Sequence, residues 1–366
     1  MPPAHPGTTP DDAARPLPHG RARLLPDLGT GPVVCVGETM AALVPDPVAP
    51  LATAAGLALA VAGAESNVAM YLADHAVPVR WVSAVGDDPF GARVRAEVAG
   101  RGVDVTGVRT DPARPTGLLV KDPAPDGTRV HYYRRGSAAS ALGPDLLADP
   151  ALSGAALLHL TGITAALSPS CRALLDAALD GPVPVSFDVN HRRALWRDGS
   201  APAVLRDLAD RADVVFVGLD EAQDLWGASL AAAQDVRALL PGPALLVVKD
   251  GPRAATAFTG AAPGATPVTC TVPAPRVDVV EPVGAGDAFA AGFLAALHRG
   301  EPLPRCLRLA HLTAAAALRV PADHGPLPPA ERIAALLAAS DDAWSRLTVP
   351  EARRAAEPDP EAAATH

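Results

Sequence analysis

Along most of the chain, short apolar runs that stop at a glycine or a polar cluster alternate with stretches whose apolar residues recur at helical spacing. Pro32 to Glu38 holds Val33-Val34-Cys35-Val36 closing on Gly37, the pattern of a buried first strand. Leu57-Ala58-Leu59-Ala60-Val61 predicts a further strand. Val68 to Ala73 predicts a helix behind the turn Ala62-Gly63-Ala64-Glu65-Ser66-Asn67. Arg80 to Gly91 reads as strand, turn and the start of a helix that runs to about Gly100. Thr116 to Val120 and Thr128 to Arg134 alternate on either side of a Pro- and Asp-rich turn ending at Gly127, which predicts a hairpin. Strand-like segments then follow at Ala155 to Leu160, Val183 to Asp188, Val214 to Val217 and Ala244 to Val248. Helix-like segments at Pro169 to Leu179 and Ala201 to Ala209 separate them, and Leu303 to Leu318 and Pro329 to Ala339 are helical near the end. This alternation predicts an α/β fold, a doubly wound parallel sheet with helices on both faces. Ligands of such a sheet gather at the carboxyl ends of its strands.

Composition narrows the picture. Residues 1 to 30 are rich in Pro, Gly and charge without periodicity and read as a disordered leader; residues 346 to 366 read as a polar, disordered tail. That leaves 31 to 345 as the folded domain. Of the 366 residues 49% are apolar, enough for one large core. A net charge of -9 argues against a general nucleic-acid binder, and no apolar stretch is long enough to span a membrane. Cys35, Cys171, Cys270 and Cys306 are scattered without a Cys-x-x-Cys pair, as expected of reduced thiols in a cytoplasmic protein. The histidines form no His-Glu-x-x-His zinc pattern.

The densest chemistry lies in Glu281-Pro282-Val283-Gly284-Ala285-Gly286-Asp287-Ala288-Phe289, a glycine-rich turn that opens into an apolar helix. The first amides of a helix lack partners within it, and the helix dipole turns its positive end toward them. Such a turn is an anion site, suited to a phosphoryl group in transfer. A carboxylate there, Asp287, is useful as a base toward a neutral hydroxyl. Taken alone, Gly-x-Gly-Asp also fits an ordinary helix cap. Gly63 and Asn67 form a second glycine turn into a helix, where Asn67 can bond hydroxyls and Ser66 and Asn67 can equally be caps. On a strand, Tyr132 and Arg134 share one face and can offer a phenol and a guanidinium to one ligand; a solvated edge is the plainer alternative. Asp188-Val189-Asn190-His191-Arg192 follows a predicted strand end.

Together these strings resemble the ribokinase-like (PfkB) carbohydrate kinases, whose pattern around the base is Asp-Thr/Pro-x-Gly-Ala-Gly-Asp-x-Phe. The resemblance spans roughly residues 32 to 340. Within the family it is strongest to the branch acting on 2-keto-3-deoxygluconate, through Tyr132 to Ser140, Leu158 to Thr164 and Ser186 to Trp196. It implies a ribokinase-like core carrying a small β-sheet lid, from about 38–62 and 114–136, and a homodimer formed through that lid. Asp287 would be the catalytic base, with the Gly284, Ala285 and Gly286 amides around the γ-phosphoryl group. Gly63, Asn67, Tyr132, Arg134 and Arg192 would hold the sugar acid, with Arg134 first in line for its carboxylate. Asp188, Asn190, Glu221, Lys249, Gly251 and His311 would border the nucleotide, together with Gly284 and Gly286. ATP and Mg2+ are the implied partners, Mg2+ held through the ATP phosphates with Glu221 the candidate protein ligand; some members also use K+ beside this loop, where Glu281 replaces the usual Asp. Two strings depart from the family: Gly218 stands for the Asn of Asn-x-x-Glu, and Pro252-Arg253 interrupts the glycines after Lys249. The resemblance implies phosphorylation of the terminal hydroxyl of a sugar acid, giving the 6-phosphate of 2-dehydro-3-deoxygluconate. The alternatives are a fructokinase, ribokinase or nucleoside kinase of the same fold, or a non-catalytic sensor.

Overall fold

The computed structural model describes residues 28–124, 127–260 and 266–349. The first half runs β1 (Val33–Val36), β2 (Met40–Pro45), β3 (Leu57–Ala62), α1 (Ala64–Asp74), β4 (Val79–Gly86), α2 (Pro89–Gly100), β5 (Val108–Asp111), β6 (Leu118–Ala124), β7 (Gly127–Tyr133), β8 (Leu157–Thr161), α3 (Gly162–Leu167) and α4 (Pro169–Leu179). The second half runs β9 (Val185–Asp188), α5 (Ala201–Arg211), β10 (Val214–Gly218), α6 (Leu219–Trp226), α7 (Ala233–Leu239), β11 (Leu245–Asp250), β12 (Ala254–Thr259), β13 (Thr269–Pro273), β14 (Arg276–Val277), α8 (Ala285–His298), α9 (Leu303–Leu318), α10 (Ala330–Leu337), α11 (Asp341–Ser345) and β15 (Thr348–Val349).

The main sheet has the order β13-β12-β11-β10-β9-β8-β1-β4-β5. Its strands are apolar at successive positions because both faces are covered. Val33 and Cys35 of β1 pack in the layer of α1, α8 and α9, while Val34 and Val36 pack in the layer of α4, α5 and α6. Phe216 of β10 meets Phe293 of α8 edge-to-face, with ring centroids 5.4 Å apart, and so seats α8 on the sheet. At one edge the parallel order breaks: β12 runs antiparallel to both of its neighbours, β11 and β13. Antiparallel neighbours need no crossover helix, and three residues join β11 to β12, so no helix marks this edge in the sequence.

The smaller sheet, β3-β2-β6-β7, is entered from the carboxyl end of β1, which leads through Gly37 to Thr39 into β2. Alternation gives it two faces. Met40, Ala42, Ala62 and Leu119 form a small core on the inner one, while Leu57, Leu59 and Tyr133 remain exposed on the outer. The strand β2, between the predicted first strand and Leu57, supplies the centre of this sheet. Two boundaries move. Leu28, placed by the sequence in the leader, is buried, and Thr348–Val349, placed in the tail, pairs with Arg276–Val277. The remainder of the expected leader and tail lies outside the described residues.

Candidate active site

α8 begins where the chain must turn sharply. Gly284 caps it with φ +83°, and a Cβ there would stand 2.6 Å from the carbonyl oxygen of Asp323. Only glycine meets both conditions. The Ala285 amide turns back to the Pro282 carbonyl at 3.4 Å, so the first-turn amides of Gly286 and Asp287 are the donors aimed ahead of the helix. Of the expected Gly284-to-Gly286 trio, the Ala285 amide is thus turned away.

Asp287 is buried on the first turn. Asn67 Nδ2 donates to Asp287 Oδ2 at 2.9 Å, and Asn190 Nδ2 donates to Asp287 Oδ1 at 3.2 Å. Burial pushes the Asp287 carboxyl up to about 7; the Asn67 bond opposes this, the charges of Asp188 and Asp323 add to it, and Arg192 opposes it. The amide oxygens of Asn67 and Asn190 are buried without partners. Buried acceptors of this kind call for donors, and sugar hydroxyls supply them. Asn190 was expected beside the nucleotide; the structure moves it to the base, in a left-handed conformation with φ +40°.

Around this centre Lys249 Nζ lies 3.2 Å from Asp188 Oδ2 and 3.5 Å from where a Cβ of Gly286 would be. Burial alone would push the Lys249 ammonium down, but the carboxylates of Asp188, Glu221 and Asp287 outweigh it and hold it above its ordinary value. A fixed cation therefore stands beside the helix start. Glu221 does not face a ligand as expected. Its oxygens accept the backbone amides of His191 at 2.5 Å and Gly218 at 3.0 Å, so it pins the Asn190–Arg192 loop. Burial raises its carboxyl, as does the Asp188 charge. Gly218 serves this arrangement as the cap of α6.

Arg134 is corrected more substantially. It is buried, and Glu38 Oε2 accepts from its Nε at 2.6 Å and lies 2.5 Å from its Nη2. A guanidinium neutralised in this way is not the primary receptor for a second carboxylate. Arg192 is exposed and near enough to Asp287 to lower its carboxyl, so it is a cation open to a substrate beside that group. Tyr132 lies 5.8 Å from Arg134 Cζ, and both line an open cavity of about 890 Å3 with Arg135, Trp196 and Arg197. Gly63 touches the backbone of Glu38 and Thr39 and caps α1, so its part is to admit that close approach. Sequence reasoning missed Glu38, and also missed Asp323, whose ion pair with Lys121 at 3.2 Å ties the lid to the Gly284 turn. No local motif marks either.

On the other side of α8 a second cavity, of about 600 Å3, is lined by Ala255, Val277, Phe289, His311, Ala315 and Leu318, with Lys249, Gly251 and Gly286 at one end. The His311 ring is T-stacked on Phe289 and bonded to the Val272 carbonyl; burial lowers it to about 4, so it is neutral. An apolar slot ending at a lysine and a helix N-terminus fits a base and its phosphate chain.

A doubly wound α/β core with a small second sheet, and a buried carboxylate held by two asparagines at a helix start that also borders a nucleotide-shaped slot, define a small-molecule kinase. Residues 31–329 match the pfkB family carbohydrate kinase profile. A 2-dehydro-3-deoxygluconokinase of Thermoproteus tenax is 35% identical over 303 residues, 81% of this chain and 91% of the relative. One from Bacillus subtilis is 33% identical over 314 residues, covering 84% and 95% respectively. Among solved structures, a PfkB protein from Polaromonas sp. JS666 superposes with a TM-score of 0.69 at 33% identity, over 80% of this chain and 98% of that one. The chain belongs to the PfkB family of carbohydrate kinases.

Proposed function

We propose that the protein phosphorylates the terminal hydroxyl of 2-dehydro-3-deoxygluconate with ATP. The observation that carries this is Asp287, a buried base held by two asparagines, next to Gly286 at the nucleotide-shaped cavity. The names of the two curated relatives supply the substrate, and Arg192 supplies a cation for its carboxylate. The sugar acid lies under the lid, its hydroxyls donating to the Asn67 and Asn190 oxygens. The terminal hydroxyl approaches Asp287 and gives up its proton as its oxygen attacks the γ-phosphorus. Charge gathering on the transferred group meets the Gly286 and Asp287 amides and the Lys249 ammonium, and ADP leaves through the second cavity. The lid excludes water that would otherwise take the phosphoryl group.

The donor set also fits Mg2+ carried by the nucleotide rather than by a protein cage. Among the described residues no group of three His, Cys, Asp or Glu side chains is placed to hold a metal. Glu221, the expected ligand, is bonded to backbone, and Asp188, paired with Lys249, is the nearby carboxylate that could reach a phosphate-bound ion. When bound, Mg2+ shields the phosphate charges. The exposed apolar outer face of the lid supports a homodimer through it. Four free cysteines, and no described helix long and apolar enough to cross a membrane, support a cytoplasmic location.

The test is ATP consumption with 2-dehydro-3-deoxygluconate, its galactonate-derived epimer, fructose, ribose and adenosine. Turnover on the keto acids, lost in Asp287→Asn, is expected. Turnover confined to neutral sugars would overturn the assignment of Arg192, and binding without turnover would replace the kinase by a sensor.

A further inference from the structure

Four chain crossings join the lid to the core: Gly37 to Thr39 between β1 and β2, Gly63 between β3 and α1, the segment reaching Gly117 between β5 and β6, and Arg134 to Ser137 after β7. One residue meets all four, Gly63 through its backbone and the Gly117 and Arg134–Ser137 crossings through its side chain. Glu38 stands in the first and is only 2% exposed. A Cβ on Gly63 would lie 2.5 Å from the Glu38 carbonyl oxygen, and a Cβ on Gly117 would lie 2.7 Å from Glu38 Oε1. Two crossings therefore run against Glu38 at a separation that only glycine permits. The fourth is bonded to it: Arg134 donates to Oε2 through Nε, with Nη2 2.5 Å from the same oxygen, and Ser137 Oγ donates to Oε1.

A buried carboxylate and guanidinium are costly relative to apolar side chains of the same volume, so packing alone does not account for the pair. What the pair adds is direction. Charge-assisted bonds along a guanidinium edge fix an angle, whereas an apolar contact at the same place would let the lid settle over a range. The Arg134 edge turned to Glu38 is the one carrying Nε and Nη2.

We propose that Glu38 is a positioning residue that sets the angle of the lid over the sugar site and orients Arg134 within it. The inference rests on the kinase reading above. It places in one residue the control over how well the lid closes, and hence over how strictly ATP cleavage is coupled to phosphorylation of the sugar acid.

Glu38→Gln keeps the shape and the Ser137 contact and removes the charge. Its KM for the sugar acid is expected to rise by about tenfold or more, the scale of a reacting group displaced by a fraction of an ångström. The KM for ATP should stay within about twofold, because other elements line the nucleotide cavity. ADP formed per sugar phosphorylated should climb above the wild-type ratio. Thermal melting and binding of a non-hydrolysable ATP analogue establish that the variant is folded. If it is not, Ser137→Ala, which removes one bond and no charge, should show the same KM split and loss of coupling on a smaller scale. A folded variant with wild-type KM for the sugar acid and wild-type coupling would overturn the proposal. So would a parallel rise in both KM values with a lowered melting point, which is the signature of general damage. If the wild type phosphorylates only a neutral sugar, the substrate assignment fails, and the coupling ratio on that sugar still decides the role of Glu38.

Discussion

Asp287 is ordinary in composition and unusual in surroundings. A carboxyl whose burial lifts it to about 7 is protonated in much of the enzyme at mildly acidic pH, and a base must be unprotonated to act. For the free enzyme, kcat/KM should therefore rise with pH through about 7 and level off above it, which initial rates at subsaturating sugar acid across pH 5 to 9 will show. Asp287→Asn should lower kcat by about 10^2 to 10^4, the range for loss of a positioned proton acceptor. The same shift fixes a stability effect. The folded value lies above the unfolded one of 3.8, so the stability contributed by this group is full below that value and is lost as pH rises through about 7. At pH 8 the charged Asp287 is a liability, and Asp287→Asn should melt above the wild type there, with the gap closing toward pH 5. An unchanged or lower melting point at pH 8 would contradict the burial argument.

At the scale of elements, the site is assembled from ends. The start of α8 supplies amides and the base, the start of α1 supplies Asn67, and the loop after β9 supplies Asn190 and Arg192. Each end is held by a local device: glycine at the α8 cap, Glu221 beneath the β9 loop, and the close approach of Gly63 to Thr39. Gly284→Ala must place a side chain at φ +83° and push the Asp323 carbonyl away. The strained conformation alone costs roughly 1–3 kcal/mol. We expect a lower melting point together with a kcat reduced by about 10^2 or more, because the amides no longer face the transferring group. The KM for ATP should change less, since the apolar slot is built from β12, α8 and α9. A normal kcat in a destabilised variant would separate the cap from the chemistry.

For the molecule as a whole, the lid has one face committed and one open. Its inner face carries Lys121 to Asp323 and Arg134 to Glu38, while Leu57, Leu59 and Tyr133 stay exposed outside. Burying that outer face against a second copy removes apolar surface from water at about 25 cal/mol per Å2. Should the proposed dimer form through this face, Leu59→Lys will turn it to monomer in light scattering at micromolar concentration and raise the sugar-acid KM. A wild type that is monomeric under those conditions would remove the dimer. The chain contains only two lysines, Lys121 and Lys249, and both sit in ion pairs that border the site.

Much of this was legible before any coordinates. Pro169–Leu179 and Leu303–Leu318 fall where helical spacing puts them, and the buried strands where apolar runs stop at glycine, because those signals are local and repeated. The Gly284–Asp287 turn could be read as an anion site with a base for the same reason. What stayed hidden depends on residues far apart in the chain. Glu38 meets Arg134 across 96 residues, Asn190 meets Asp287 across 97, and Lys121 meets Asp323 across 202. The antiparallel edge of β12 and β13 and the strand β2 were equally illegible, since nothing in a short strand specifies which neighbour it will bond. The sequence by itself determined most of the elements, the fold class and the turn that carries the proposed base, because periodicity and turn chemistry act over a few residues. Tertiary structure alone decided which guanidinium is neutralised and which remains available, because charge pairing in a buried site is set by packing at a distance rather than by spacing along the chain.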